Sequence, residues 1–226
     1  MVDSSKFDIS KVVDDAISVI TNPTDFYRNM QRDGGFAEPI IFLVVMAAIM
    51  GVILTVFSLF GAGRIGAMAV GFGAIIFMPI MALIMSFVAA AIMFVIWKLM
   101  GSNESFETAY RCVAYASAIY PVVAIVSIIP YVGTIIGVAW GTFLLFTASV
   151  EVHQLARNTA MIVMGILGFI MLVMNLSGEI GSRHFESRIE QMGNSMEGIE
   201  DMTPEEAGKA VGEFLKGLED GSKKSE

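Results

Sequence analysis

PIIFLVVMAAIMGVILTVFSLF, residues 39–60, runs for 22 residues without a charge. A helix of that length measures about 33 Å, enough to cross the roughly 30 Å hydrocarbon core of a bilayer. Its apolar side chains cover every face, which suits a helix surrounded by lipid or protein rather than water. Reading outward, the stretch from Pro39 to Gly178 holds only seven charged residues: Arg64, Lys98, Glu104, Glu107, Arg111, Glu151 and Arg157. Nearly everything between them is Ile, Leu, Val, Met, Phe, Ala or Gly. The fold class this implies is all-α: a polytopic membrane protein with amphipathic N-terminal helices and a helical C-terminal tail.

Five transmembrane helices are expected, at about 39–60, 75–98, 106–129, 132–150 and 159–176. Before them, residues 1–38 read as an amphipathic segment. Phe7, Ile9, Val12, Val13, Ala16, Ile17 and Ile20 recur at helical spacing, and Pro23 opens a second short helix. The pair packs on the end of the bundle or lies in the lipid interface. The run from Ile65 to Trp97 would measure about 50 Å as one helix, too long for a single crossing. Residues 65–74, with Gly66, Gly71 and Gly73, are therefore read as a connection or re-entrant piece. Gly61-Ala62-Gly63-Arg64 closes span one, and Pro130-Tyr131-Val132-Gly133 reverses the chain between spans three and four.

Charge supplies the orientation. Only 16% of the 226 residues are charged and the mean hydropathy is +0.71, against about 25% charged residues in soluble domains. The net charge of −8 divides into −3 for residues 1–38, +1 for 39–177 and −6 for the acidic soluble tail, 178–226. An acidic head and tail argue against nucleic acid as a partner. With the N-terminus inside, Lys6, Lys11, Arg28, Arg32, Lys98, Arg111 and Arg157 collect on the cytoplasmic side, leaving Arg64, Arg183 and Arg188 outside near the membrane. That bias predicts N-inside, C-outside in an inner or plasma membrane. Trp97-Lys98 then reads as an interfacial anchor. Met1 to Asp33 lacks the apolar core of a signal peptide.

Residues for chemistry are scarce. There is no HExxH, no GxSxG, no phosphate-binding Gly-rich loop, and no Asp between Glu38 and Ser177. Cys112 is the sole cysteine, and His153 and His184 are expected on opposite sides of the membrane. No enzyme activity, cofactor or metal is expected. The candidate group is Glu107, Arg111, Glu151 and His153. Glu107 and Arg111 stand at i,i+4 in the favourable order, and span four returns Glu151 and His153 to the same end. This reads as an ion pair pinning the hairpin, or as a polar pocket accepting a substrate, proton or partner. Gly133, Gly137 and Gly141 form a small-residue face for helix packing, with Gly165 and Gly168 as a candidate opposing face. Tyr110, Tyr115, Tyr120 and Tyr131 concentrate in the same hairpin. In the tail, Phe185, Ile189, Met192, Met196 and Ile199 form a short seam, and Thr203-Pro204-Glu205-Glu206 starts a helix burying Val211, Phe214, Leu215 and Leu218. A protein partner or a second copy could dock through residues 185–218.

Asn22-Pro23 to Tyr27, Trp97 to Gly101, Phe106 to Tyr120-Pro121, Pro130-Tyr131-Val132-Gly133 followed by Trp140, and Glu151-Val152-His153 stand in a telling order. In that order and spacing the chain resembles the Yip family, the Ypt/Rab-interacting membrane proteins, in their prokaryotic form. The resemblance covers roughly residues 20–177. It implies five spans with a cytosolic N-terminus. Eukaryotic members are implicated in vesicle trafficking and bind small GTPases; the Asp-Leu-Tyr-Gly-Pro signature of the central eukaryotic branch does not occur here. The reading is a membrane scaffold acting by partner binding, the alternative a transporter or channel for small molecules or lipids using the polar group.

Overall fold

The computed structural model describes residues 9–59, 67–200 and 212. Within them the chain is helical, without strands. Two short helices, α1 (Ile9–Thr21) and α2 (Pro23–Asn29), precede α3 (Ala37–Leu59) and α4 (Ala67–Leu99). The third span is broken into α5 (Phe106–Ala116), a 3-10 turn at Ser117–Ile119 and α6 (Tyr120–Val126). Next come α7 (Val132–Glu151) and α8 (Arg157–Glu200). The chain divides into two compact units, Met1–Glu179 and Ile180–Glu226. The helix expected from Thr203 and its apolar stripe lie outside the described residues, Gly212 apart, as does the turn at 61–64.

Five of these segments are long and apolar enough to cross a membrane: Ala37–Phe57, Ile75–Leu99, Phe106–Val126, Val132–Glu151 and Arg157–Phe185. The third is the hub. It is 56% buried, while the others range from 11% to 33%. Its helix α5 buries Thr108, Ala109, Tyr110, Arg111, Cys112, Ala114 and Tyr115. Large apolar side chains left exposed on α4 and α8, among them Ile76, Phe77, Ile84, Ile162 and Phe169, form the surface that contacts lipid.

Local chemistry explains the departures from a row of straight rods. Pro121 has no N–H to offer the carbonyl four residues back, so the third span tightens into the 3-10 turn at Ser117–Ile119. Ser117 adds a 2.6 Å bond from its hydroxyl to the Ala114 carbonyl. Residues 67–74, read from their glycines as a connection or re-entrant piece, instead continue α4, which also runs through Pro79. Apolar surroundings leave the backbone amides no partner better than their own helix. At the reversal, Tyr131 takes a left-handed φ of 67° as the N-cap of α7. Glu179 serves the exposed start of α7: its carboxylate accepts from Tyr131 N–H at 3.1 Å and from the Thr134 hydroxyl at 2.6 Å, an anion placed where a helix N-terminus favours one.

Candidate functional site

Glu38, Glu107, Arg111 and Glu151 of the spans gather at the end that carries α1 and α2. The segment after α2 turns through Gly34 and Gly35, with φ of +113° and +89°. Glycine alone takes such values cheaply. A Cβ on Gly34 would also stand 3.2 Å from Arg111 Nη2. The turn brings the Gly35 carbonyl to accept from Arg111 Nη2 at 2.8 Å, while Gly35 N–H donates to Glu107 Oε1 at 2.6 Å. Arg111 is 1% exposed. Its Nη1 donates to Glu38 Oε2 at 3.4 Å, and Nε lies 3.5 Å from Glu107 Oε1. Lys11 of α1 pairs with Glu38 as well. One buried guanidinium thus ties together the pre-span turn, the start of α3 and its own helix. A buried charge is tolerated only with such partners.

Of the four residues proposed from sequence, the structure brings Glu107 and Arg111 together and sends the other two elsewhere. Glu151 accepts from Arg28 Nε of α2 at 3.0 Å. Arg32 likewise bonds Glu104 at 2.7 Å, and Thr108 Oγ1 donates to the Arg32 carbonyl at 3.1 Å. α2 and the segment that follows it therefore strap over the ends of spans four and three. Sequence reasoning missed Glu38, Arg28 and Arg32 because it searched within the spans. The signals available were the Gly34-Gly35 pair and the acid directly before Pro39.

His153 belongs to a second cluster. Its ring stacks on Trp97, with centroids 3.9 Å apart, and Trp97 Nε1 donates to Ser149 Oγ at 2.8 Å. Trp97 is fully buried, so it is a core residue rather than an interfacial anchor: its indole N–H has a protein partner and no need of the headgroup layer. His153 Nδ1 and Ser102 Oγ share a 2.7 Å bond, and Ser102 Oγ accepts from Glu104 N–H at 3.2 Å. This suits the tautomer with its proton on Nε2, facing Cys112 Sγ at 3.9 Å. Tyr27 of α2 closes the cluster by donating to the Cys112 carbonyl at 3.1 Å. Burial, reinforced by the positive charges of Arg32 and Lys98, pushes the His153 pKa down to about 4. The imidazole is neutral near pH 7 and acts as a packed hydrogen-bonding wedge.

The family model for the Yip1 domain matches residues 17–177. The chain belongs to the Yip family. The matched region begins within α1 and ends just before Glu179, so it contains both clusters apart from Lys11. No curated protein and no solved structure matches the chain.

The glycine face divides. A Cβ on Gly133 would stand 3.0 Å from Ser127 Cα, and one on Gly137 2.9 Å from Val123 Cγ2, so both positions pack on or just after α6 of the same chain. Gly141 has open space around it. Gly165 is open too, while a Cβ on Gly168 would meet Thr142 Oγ1 at 2.5 Å. Span five thus approaches α7 at Thr142 rather than at the glycines.

Proposed function

We propose that this Yip-family protein is a non-catalytic membrane scaffold that engages a protein partner at the end carrying α1 and α2. The supporting observation is how the polar residues at that end are used. Arg111, Glu107, Glu38, Arg28, Glu151, Arg32 and Glu104 are joined in internal pairs, and aromatic rings fill the space beside them. Phe36 packs on Tyr110 and Phe42 on Tyr115, with centroids 5.3 and 4.9 Å apart. Groups that move a substrate through the bundle would line a wet passage; these hold one end rigid. The Lys and Arg bias supports a cytoplasmic position for that end and the opposite side of an inner or plasma membrane for the acidic tail.

Site-specific photocrosslinking in native membranes tests the proposal. A photoreactive residue at Ile17 of α1, which is 54% exposed, should give a protein adduct of discrete mass. The same residue at Phe169 of span five should give lipid adducts. Lipid adducts at both positions, together with substrate flux in proteoliposomes that Arg111→Met abolishes, would favour the transporter alternative instead.

A further inference from the structure

A cavity of about 410 Å³ opens between α1, α2, the start of span one and Tyr115 of the third span, bordering the Arg111 cluster through Lys11 and Glu38. Lys11, Asp15, Asp25, Glu38, Phe26 and Tyr115 help line it. Its volume falls in the range of small-molecule sites, about 300–1,000 Å³, and far exceeds a bare ion. Glu38, the second residue of the Ala37–Phe57 span, sets the cavity at the membrane boundary.

The wall carries three carboxylates, those of Asp15, Asp25 and Glu38, beside the polar side chains of Ser18, Asn29 and Gln31. Lys11, the sole cation among the described residues that line it, is taken by Glu38, which Arg111 also holds. Asp25 is shared with Asn22 Nδ2 at 2.6 Å and Arg28 Nη1 at 3.6 Å. Asp15 has no hydrogen bond or ion pair among the described residues. Burial raises its pKa, with the charges of Glu38 and Asp14 adding to that and Lys11 opposing it; a cation beside it would reverse the cost. Tyr115 supplies an independent observation. It is 4% exposed, its ring is gripped edge-on by Phe26 at 5.0 Å, and its hydroxyl has no hydrogen-bond partner among the described residues. Tyr115 lines the cavity, and its hydroxyl is not among the unpartnered atoms sealed into the core. A buried polar group left unmatched is costly unless something else bonds it.

We propose that this cavity binds an organic ammonium group, with the Asp15 carboxylate as counter-ion, the Tyr115 hydroxyl as a neutral acceptor and the Phe26 ring as a cation–π face. An ammonium brings up to three N–H donors and a positive charge to a wall with three carboxylates and one cation among the described residues, and that charge matches the unpaired acid. Phe26 adds attraction to any cation held over its ring. The same chemistry is carried by a phosphoethanolamine lipid headgroup and by a free polyamine. The site does not depend on the scaffold reading and stands or falls without a protein partner.

Full-length protein in two kinds of nanodisc separates the sources. In phosphatidylcholine nanodiscs, spermidine or ethanolamine is titrated by calorimetry. In nanodiscs containing phosphatidylethanolamine, the unfolding midpoint is compared with the phosphatidylcholine value. Saturable binding of a free amine identifies a soluble ligand; a raised midpoint with phosphatidylethanolamine and no response to free amine identifies the headgroup. In either arm Asp15→Asn should weaken binding by about tenfold or more, the effect of removing one charge-assisted bond. Tyr115→Phe should weaken it several-fold while leaving the unliganded midpoint unchanged, since it removes no existing bond. Tyr115→Phe also keeps the test open if Asp15→Asn folds poorly. No response in either arm from folded protein, or responses equal in wild type and both variants, would overturn the proposal.

Discussion

Acidification should destabilise this protein in part through His153. In the folded chain the imidazole is held neutral down to about pH 4, against an ordinary value of 6.5. Between those values the unfolded chain binds a proton that the folded chain refuses. Stability is therefore whole above about pH 6.5 and falls as the pH drops toward 4. The interval, at about 1.36 kcal/mol per pH unit, comes to about 3 kcal/mol. For a chain of this size that is roughly 6–12 °C in unfolding midpoint. His153 is 5% exposed, so solvent screening does not erase the effect. The assay is a thermal melt in detergent at a series of pH values, run in parallel on His153→Gln. Carboxylates titrate over part of the same range in both proteins, so the informative quantity is the difference between the two curves. Wild type should lose several degrees relative to His153→Gln between pH 6.5 and 4, and the curves should run parallel above pH 7. Parallel curves throughout would mean that the proton reaches His153 without cost and that the Trp97 stack and Ser102 bond do not exclude its charged form.

Removing Arg111 by Arg111→Met should cost about 3–5 kcal/mol in denaturant unfolding, because the carboxylates of Glu107 and Glu38 and the Gly35 carbonyl lose their shared donor; a cost below 1 kcal/mol would show the centre to be solvated. Gly137→Leu should destabilise by about 1–3 kcal/mol or block folding, since even a Cβ there meets Val123 at 2.9 Å, whereas Gly141→Leu should be tolerated. Gly168→Ala should also destabilise, and Thr142→Ala should relieve much of that loss by removing the Oγ1 and Cγ2 atoms at 2.5 and 2.7 Å; no relief would show that the two helices do not touch there. Reporter fusions before Pro39 and after Gly181 should be active on opposite sides of the membrane, and activity on the same side would require an even number of crossings.

What the amino-acid sequence determined by itself is the solvent. Long uncharged runs such as 39–60 leave no surface that water can satisfy, so five apolar helices in a bilayer follow from composition and length. Local rules reached a little further. The spacing of Glu107 and Arg111 puts them on one face of a helix whatever surrounds it, and their Nε and Oε1 atoms stand 3.5 Å apart. The same rules misled where context decides. Glycines in 67–74 do not interrupt α4, because a helix in apolar surroundings has no competing partner for its backbone. Trp97-Lys98 looks like an interfacial anchor until Ser149 and His153 are seen to enclose the indole.

Only the tertiary structure could assign partners at long separation. Arg111 meets Glu38 across 73 positions, Arg28 meets Glu151 across 123, and Ser102 meets His153 across 51. Sequence showed three acids and four bases along residues 39–177 but not which would be neutralised inside the bundle and which from the strap that precedes it. Charge pairing is set by distances of 3 to 4 Å, and those distances come from how the hub helix sits against its neighbours, a matter of side-chain packing that no local pattern encodes. The same is true of the acid-lined cavity: Asp15 and Tyr115 are separated by the whole of the first two spans, and the placement of α1 over the third span is what joins them.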